Sequence, residues 1–408
     1  MNNTPPPTAT QSTPILWAQV GGLALVQGSI TLCWVVYNLY LGALLTGLGF
    51  PQAWAATILV IENLLGIVME PLMGTFSDRQ QHLMGTRFPL IALGVVLSAG
   101  LFFLIPTALI WGQNAVLRWL LPLLLVAWAT AMTMFRSPAL SLLGRYAFRT
   151  KLPQATSLLT LVGGLAGALG PFSSQWILSL GPGVAFTVGS LVLLGAMLAL
   201  RRVGPNQTVS SPKPSDAITQ AESTLSIPRL ALVFGTGVGV SLGFRMMLTT
   251  LPAILKQQVP NANVPLTMGL VFLALASTAL PAGTLATRLG NRRAMISGLA
   301  LLTLLAAGML AVHNTAMGLA IAVCFGGAFS LVANGTMPFA LSMVPFTKAG
   351  LGTGIYFSGG ALAMSLWGLL LGGGTLSPGW SALLAAAAFL LAGLCVGGSQ
   401  KITLHGRP

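Results

Sequence analysis

Long apolar runs, each ended by glycine, proline or a charged residue, follow one another along nearly the whole chain. About 20 apolar residues in a helix cross a ~30 Å hydrocarbon core, and a helix satisfies its own backbone polar groups where lipid cannot. The pattern predicts twelve such spans, with cores at 18–45, 53–76, 88–110, 119–143, 155–179, 184–201, 229–254, 266–286, 295–312, 317–343, 350–374 and 379–398. An even number puts both termini on one face. The one long polar stretch, 204–227, is rich in Pro, Ser and Thr and reads as a flexible linker. It separates a bundle at 15–203 from a second at 228–400, six helices each, with residues 1–14 as a disordered tail and 401–408 as a second tail. The first fourteen residues lack the basic start of a signal peptide. The expected fold is an all-α membrane protein.

Composition agrees on the solvent. Hydrophobic residues are 55% and charged residues 6%, mean hydropathy is +0.86, and a soluble domain would be roughly a quarter charged. The net charge of +14 would suggest nucleic acid in a soluble protein, but its location says otherwise. Fifteen of the nineteen Lys and Arg fall on one face of the threading; Arg118 and Lys256 fall on the other, and Arg136 and Arg245 lie within spans. The positive-inside rule makes the fifteen-residue face cytoplasmic. The chain therefore reads as a multi-pass protein of the cell's inner (plasma) membrane with cytoplasmic termini, bound to lipid and not to nucleic acid.

The two bundles resemble each other. Adding 209 to Pro51, Gly74 and Arg79 gives Pro260, Gly283 and Arg288, and Pro138-Ala-Leu-Ser-Leu has a counterpart in Pro338-Phe-Ala-Leu-Ser-Met. Val162-Gly163-Gly164 is likewise matched by Ser358-Gly359-Gly360. Duplicated halves of this kind hold a solute site near the midplane and rock about it.

The loop after the second span reads Gly74-Thr-Phe-Ser-Asp78-Arg79, continuing to Gly85-Thr-Arg87, and the loop after the eighth reads Gly283-Thr-Leu-Ala-Thr287-Arg288. This resembles the signature loop of the major facilitator superfamily. The resemblance implies a twelve-helix fold of two pseudo-symmetric halves and a cytoplasmic latch built from Gly74, Asp78, Arg79, Gly85, Arg87, Gly283 and Arg288. Two departures bear on it: the stretch from Arg79 to Gly85 is longer than the usual pattern, and Thr287 stands where a second acid would. The weight of any latch therefore rests on the first copy.

Helices 1–5 carry a closer resemblance, through Trp34-Val-Val-Tyr37-Asn38-Leu-Tyr40, Glu70-Pro71-Leu-Met-Gly74 and Arg136-Ser137-Pro138. They are similar to the sucrose/proton symporters and the wider glycoside:cation symporter branch, which implies proton- or sodium-coupled movement of a sugar-like solute. Pigment-delivery proteins and some drug exporters share much of the same pattern. Leu143-Gly144-Arg145 stands where such symporters often carry a further acid. A drug or metabolite exporter, and a non-transporting membrane assembly or pigment-delivery factor, remain as alternatives.

Only five acids occur in 408 residues, and Glu62 and Glu70 lie inside an apolar span. Charges in lipid mark pathways or face a bundle interior. At 1.5 Å per residue, Glu70 and Arg136 both stand about 12–13 Å from the basic ends of their helices, so an ion pair would solve both burial problems. It would serve equally as a permanent brace or as a protonation switch. Glu62 and Arg245 match in the same way at about 24 Å and are expected to form an outer contact between the halves.

Solute-binding candidates are Tyr37, Asn38, Asn63, Asn334 and Tyr356, beside Gln27, Thr31, Tyr40, Thr130 and Thr133. Neutral hydrogen-bonding groups with aromatics suit a polyhydroxylated or amide-bearing molecule, though such groups also bond to neighbouring helices. Cys33, Cys324 and Cys395 sit in apolar spans, and His82, His313 and His405 are scattered. No metal set, cofactor motif or nucleophile triad is present, and no enzyme is expected. The reading is a monomeric secondary transporter with a small-molecule solute, driven by a proton or sodium gradient through Glu62 or Glu70.

Overall fold

The computed structural model describes residues 14–111, 114, 116–204, 206–209, 225–259, 262–371 and 376–405. The long helices, in chain order, are α1 (Trp17–Gly47), α2 (Trp54–Met84), α3 (Phe88–Leu104), α4 (Leu120–Ser141), α5 (Leu152–Ser179) and α6 (Gly181–Arg202). There follow α7 (Ile227–Gln258), α8 (Val264–Leu289), α9 (Asn291–Gly308), α10 (Thr315–Ser342), α11 (Ala349–Leu366) and α12 (Pro378–His405). Among the described residues, eleven helices are long and apolar enough to cross a membrane. The remaining long helix, α11, carries Gly350, Gly352, Gly354, Gly359 and Gly360 and packs on α2, α4 and α7. A helix enclosed by other helices needs close approach more than apolar bulk.

Local chemistry sets the ends. The Asn263 and Asn314 side chains accept from the backbone N–H groups of Leu266 and Met317 and so cap α8 and α10. Proline opens α3, α5, α6, α7 and α8, where its missing N–H has no partner to lose. Gly85, with φ of 72°, ends α2 in the left-handed conformation.

Helices α1–α6 pack on one another, as do α7–α12. Each group has its own aromatic centre. In the first, Trp128 stacks on Tyr37 with ring centroids 4.5 Å apart and on Phe102 at 4.9 Å. In the second, Phe244 stacks on Phe329 at 4.2 Å. Two helix pairs, α2 with α11 and α5 with α8, make the broadest contacts between the groups.

The expected tails and linker look different at their edges. Residues 1–13 and 210–224 lie outside the described set. Pro14 to Leu16 are not part of a free tail: Leu16 N–H donates to the Tyr146 carbonyl at 2.8 Å and Phe148 N–H to that of Pro14 at 3.1 Å. The start of the linker is also held, with Gln19 donating to the Gln207 side-chain oxygen at 2.6 Å and Val209 N–H to the Arg145 carbonyl at 2.9 Å. At the other end the chain stays helical to His405, so most of the expected 401–408 tail continues α12.

Candidate functional site

A cavity of about 400 Å³ lies between the two helix groups. Its polar lining is Gln27 and Thr31 on α1, Arg136 on α4, Thr156 and Thr160 on α5, Thr336 on α10 and Tyr356 on α11. Trp34, Phe329 and Phe357 supply aromatic wall. Among the described residues of the lining, Arg136 is the one that carries a charge.

Arg136 is held from behind. Its Nε donates to Glu70 Oε1 at 2.9 Å, a second guanidinium nitrogen donates to the same oxygen, and its charged face lies 4.5 Å from the Phe357 ring centroid. The Glu70 side chain is fully buried and that of Arg136 is 23% exposed, so the cation and not the acid meets the cavity. The other carboxylate oxygen of Glu70 has no hydrogen-bond partner among the described residues. Beside it, Pro71 cannot donate to the Ile67 carbonyl, and that freed acceptor takes a hydrogen bond from Ser358 of α11 at 2.6 Å. The proline thus turns a helix defect into a tie between the two helix groups.

Glu62 and Arg245 do not pair. Glu62 accepts a hydrogen bond from the Tyr37 hydroxyl, and its second oxygen is buried without a partner among the described residues. Arg245 lies with its guanidinium 4.0 Å from the Trp367 ring centroid, its Nε buried and unpartnered. Counting residues along two helices matches their depth but leaves open which way each side chain faces, and here they face different neighbours.

Of the five solute candidates, Tyr356 lines the cavity. Tyr37 is buried and engaged with Glu62, while Asn38 is exposed and bonded to the Trp34 carbonyl at 2.7 Å. Asn63 bonds to the Leu59 carbonyl at 2.6 Å. Asn334 is fully buried and donates to the Ala279 carbonyl at 2.8 Å, joining α10 to α8. These four are not among the described residues that line the cavity. Sequence reasoning missed Thr156, Thr160 and Thr336; the four-residue spacing of the first two, continued by Gly164, was the available sign of a shared helix face.

Below the cavity the basic end of the bundle is sealed. Asp78 forms an ion pair with Arg87 and accepts the backbone N–H groups of Gly350 at 2.8 Å and Leu351 at 2.9 Å. It therefore caps the start of α11, where helix N–H groups are free and negative charge is favoured. Arg87 also donates to Ser141 on α4 at 2.8 Å. Burial draws the Arg87 guanidinium below its ordinary range, and Asp78 opposes that shift. One turn along, Ser137 of α4 and Thr353 of α11 exchange hydrogen bonds.

Gly74 permits this closure, since a Cβ there would run into the Gly350 backbone. Its repeat, Gly283, sits against α5 in the same manner: an added Cβ would lie 2.6 Å from Ser157 Cβ and 2.9 Å from the Pro153 carbonyl. Arg79 and Arg288 are exposed and take no part in the contact.

The sequence profile of the Major Facilitator Superfamily matches residues 23–367. Among solved structures, the crystal structure of the human organic anion transporter MFSD10 (TETRAN) is similar in fold, with a TM-score of 0.62 and 14% identity, over 95% of this chain and 100% of that one.

Proposed function

The chain belongs to the major facilitator superfamily, and as a multi-pass membrane transporter and not an enzyme we propose that it moves a small polar solute by alternating access, driven by protons. The carrying observation is the cavity between the helix groups, sealed at the basic end and floored by a cation whose acid partner is buried behind it. Counting α11 as a span gives twelve helices in two related halves, 15–203 and 228–400. The matched roles of Gly74 and Gly283 favour that duplication. The basic end is then cytoplasmic, in the cell's inner membrane, and the described arrangement is closed on that side.

Coupling rests on two carboxyls with unlike surroundings. Glu70 shares its charge with Arg136, so a proton arriving on Glu70 releases the guanidinium toward the cavity. Glu62 has a tyrosine hydroxyl and no cation beside it among the described residues. The partners of the two carboxyls among the described residues are a tyrosine hydroxyl and a guanidinium, which supports protons over sodium.

For the solute, the threonines, Gln27 and Tyr356 support a sugar-like molecule that stacks a face on Trp34 or Phe357. A second reading, an organic anion, is favoured by Arg136 as the one charged lining residue, and the similar solved structure bears the name of an organic anion transporter. The test is accumulation by proteoliposomes under an imposed pH gradient, comparing a neutral sugar with its uronic acid. Uptake that collapses with a protonophore, and in Glu70→Gln falls to downhill exchange, supports the proposal. Uptake that follows a sodium gradient and ignores pH in wild type, Glu62→Gln and Glu70→Gln alike would overturn proton coupling.

A further inference from the structure

The acids can be followed one by one. Asp216 and Glu222 lie outside the described residues, Asp78 is bound to Arg87, Glu70 is bound to Arg136, and Glu62 is turned to Tyr37. Residues 228–408 contain no Asp or Glu at all. Within that acid-free half stands Arg245, about 24 Å along α7 from Arg229 and about 20 Å short of Gln258 at 1.5 Å per residue. Both ends of the helix are far for one side chain to reach. A charge so placed is costly unless it meets water or a ligand, and it marks a pathway by default.

The surroundings of Arg245 are shaped for an anion. Among the described residues it has no ion-pair partner, and its Nε is buried with no hydrogen-bond acceptor. One flat face is covered by Trp367 at 4.0 Å. A guanidinium held over a ring can still present its N–H groups to a carboxylate, sulfonate or phosphate in two-pronged fashion. Trp367 opens a π-helical turn, Trp367–Leu371, a widened turn of a kind that collects at functional sites. Val240, five residues nearer the basic end on the same helix, lines the cavity, which puts Arg245 about 7–8 Å farther along the axis than that part of the lining.

We propose that Arg245 and Trp367 form an anion-binding station adjoining the cavity, which holds the acidic head of an organic anion before it reaches Arg136. The assignment rests on the transporter reading and names its substrate class: a small organic anion, sugar acids included, with an apolar or aromatic body for the cavity wall. Arg118 and Lys256 add positive charge at the far end of the bundle, which draws anions toward it.

The test uses the full purified chain in nanodiscs, with benzoate as probe and benzyl alcohol as its uncharged counterpart. Benzoate raises the melting temperature of wild type and benzyl alcohol does not, and Arg245→Gln weakens benzoate binding about tenfold or more. Arg245→Lys retains part of the affinity and serves as the readout if the glutamine variant is unstable. The station is overturned if wild type fails to bind benzoate, if the alcohol binds as tightly, or if Arg245→Gln and Arg245→Lys both bind like wild type. Loss of binding in Arg136→Gln alone would put the anion in the cavity only, which sinks the station and leaves transport standing. Binding that requires Arg245 with no flux of any anion in proteoliposomes would keep the station and sink the transport reading.

Discussion

The two copies of the repeated segment, expected as loops, are helical through Met84 and Leu289; they share a close helix approach and differ in charge. At the first, Gly74 lets α2 meet α11 and Asp78 binds both Arg87 and the free N–H groups of Gly350 and Leu351. At the second, Gly283 lets α8 meet α5, but Thr287 only returns its hydroxyl to the Gly283 carbonyl at 2.9 Å. Close approach is therefore common to both interfaces, whereas the electrostatic clasp belongs to one. The pair of halves is held like a door with a bolt on one side and a plain fit on the other.

Removing the bolt has the largest expected effect. Asp78→Ala leaves Arg87, which is 1% exposed, as an unpaired buried cation, and is expected to destabilise the chain by about 3–5 kcal/mol. Thermal unfolding in detergent measures this, and a companion Arg87→Leu exchange on the Asp78→Ala background is expected to recover most of the loss, since replacing both members of a buried pair is often neutral.

Steric tests come next. Gly74→Val and Gly283→Val each overpack an interface, at about 1–3 kcal/mol. The first is expected to be the worse, because its obstacle is the Gly350 backbone while the second meets the Ser157 side chain among its neighbours. Equal melting temperatures for the two variants would contradict this ordering.

A smaller gain should follow from adding the missing acid. Thr287→Asp brings a negative charge near the first turn of α5, where Pro153 approaches Gly283, and is expected to stabilise by about 0.3–1 kcal/mol at low salt. The gain should fade in high salt; if it does not, the clasp of the first copy owes more to packing than to charge. Thr287→Val, which removes only a local hydroxyl bond, is expected to shift stability by less than about 0.5 kcal/mol.

At mid-depth the contrast recurs between Glu70 and Glu62. Both depths were legible by counting along the helices, and so was the Glu70–Arg136 pairing, because α2 and α4 are direct neighbours. Glu62 and Arg245 match just as well in depth, yet they turn to Tyr37 and Trp367. Likewise the asparagines prominent in the sequence bond to helix carbonyls, and less conspicuous threonines line the cavity. Height is a property of one helix; facing is a relation between several.

Hydropathy, the scarcity of acids and the placement of the bases were enough to determine an all-helical membrane chain, most of its long spans to within a few residues, and its basic end, though α2 and α12 run on to Met84 and His405 and α11 stops at Leu366. Those features follow from the transfer of whole segments into lipid, a sum over local composition that needs no knowledge of neighbours. The tertiary structure alone decided which charges pair, that Asp78 caps a helix 272 residues further along the chain, and that Arg136 and not Glu70 meets the cavity. Hydrogen bonds and ion pairs reach only about 3 Å, so they depend on how each helix is rotated against the next, which is set by the fit of all the side chains between them.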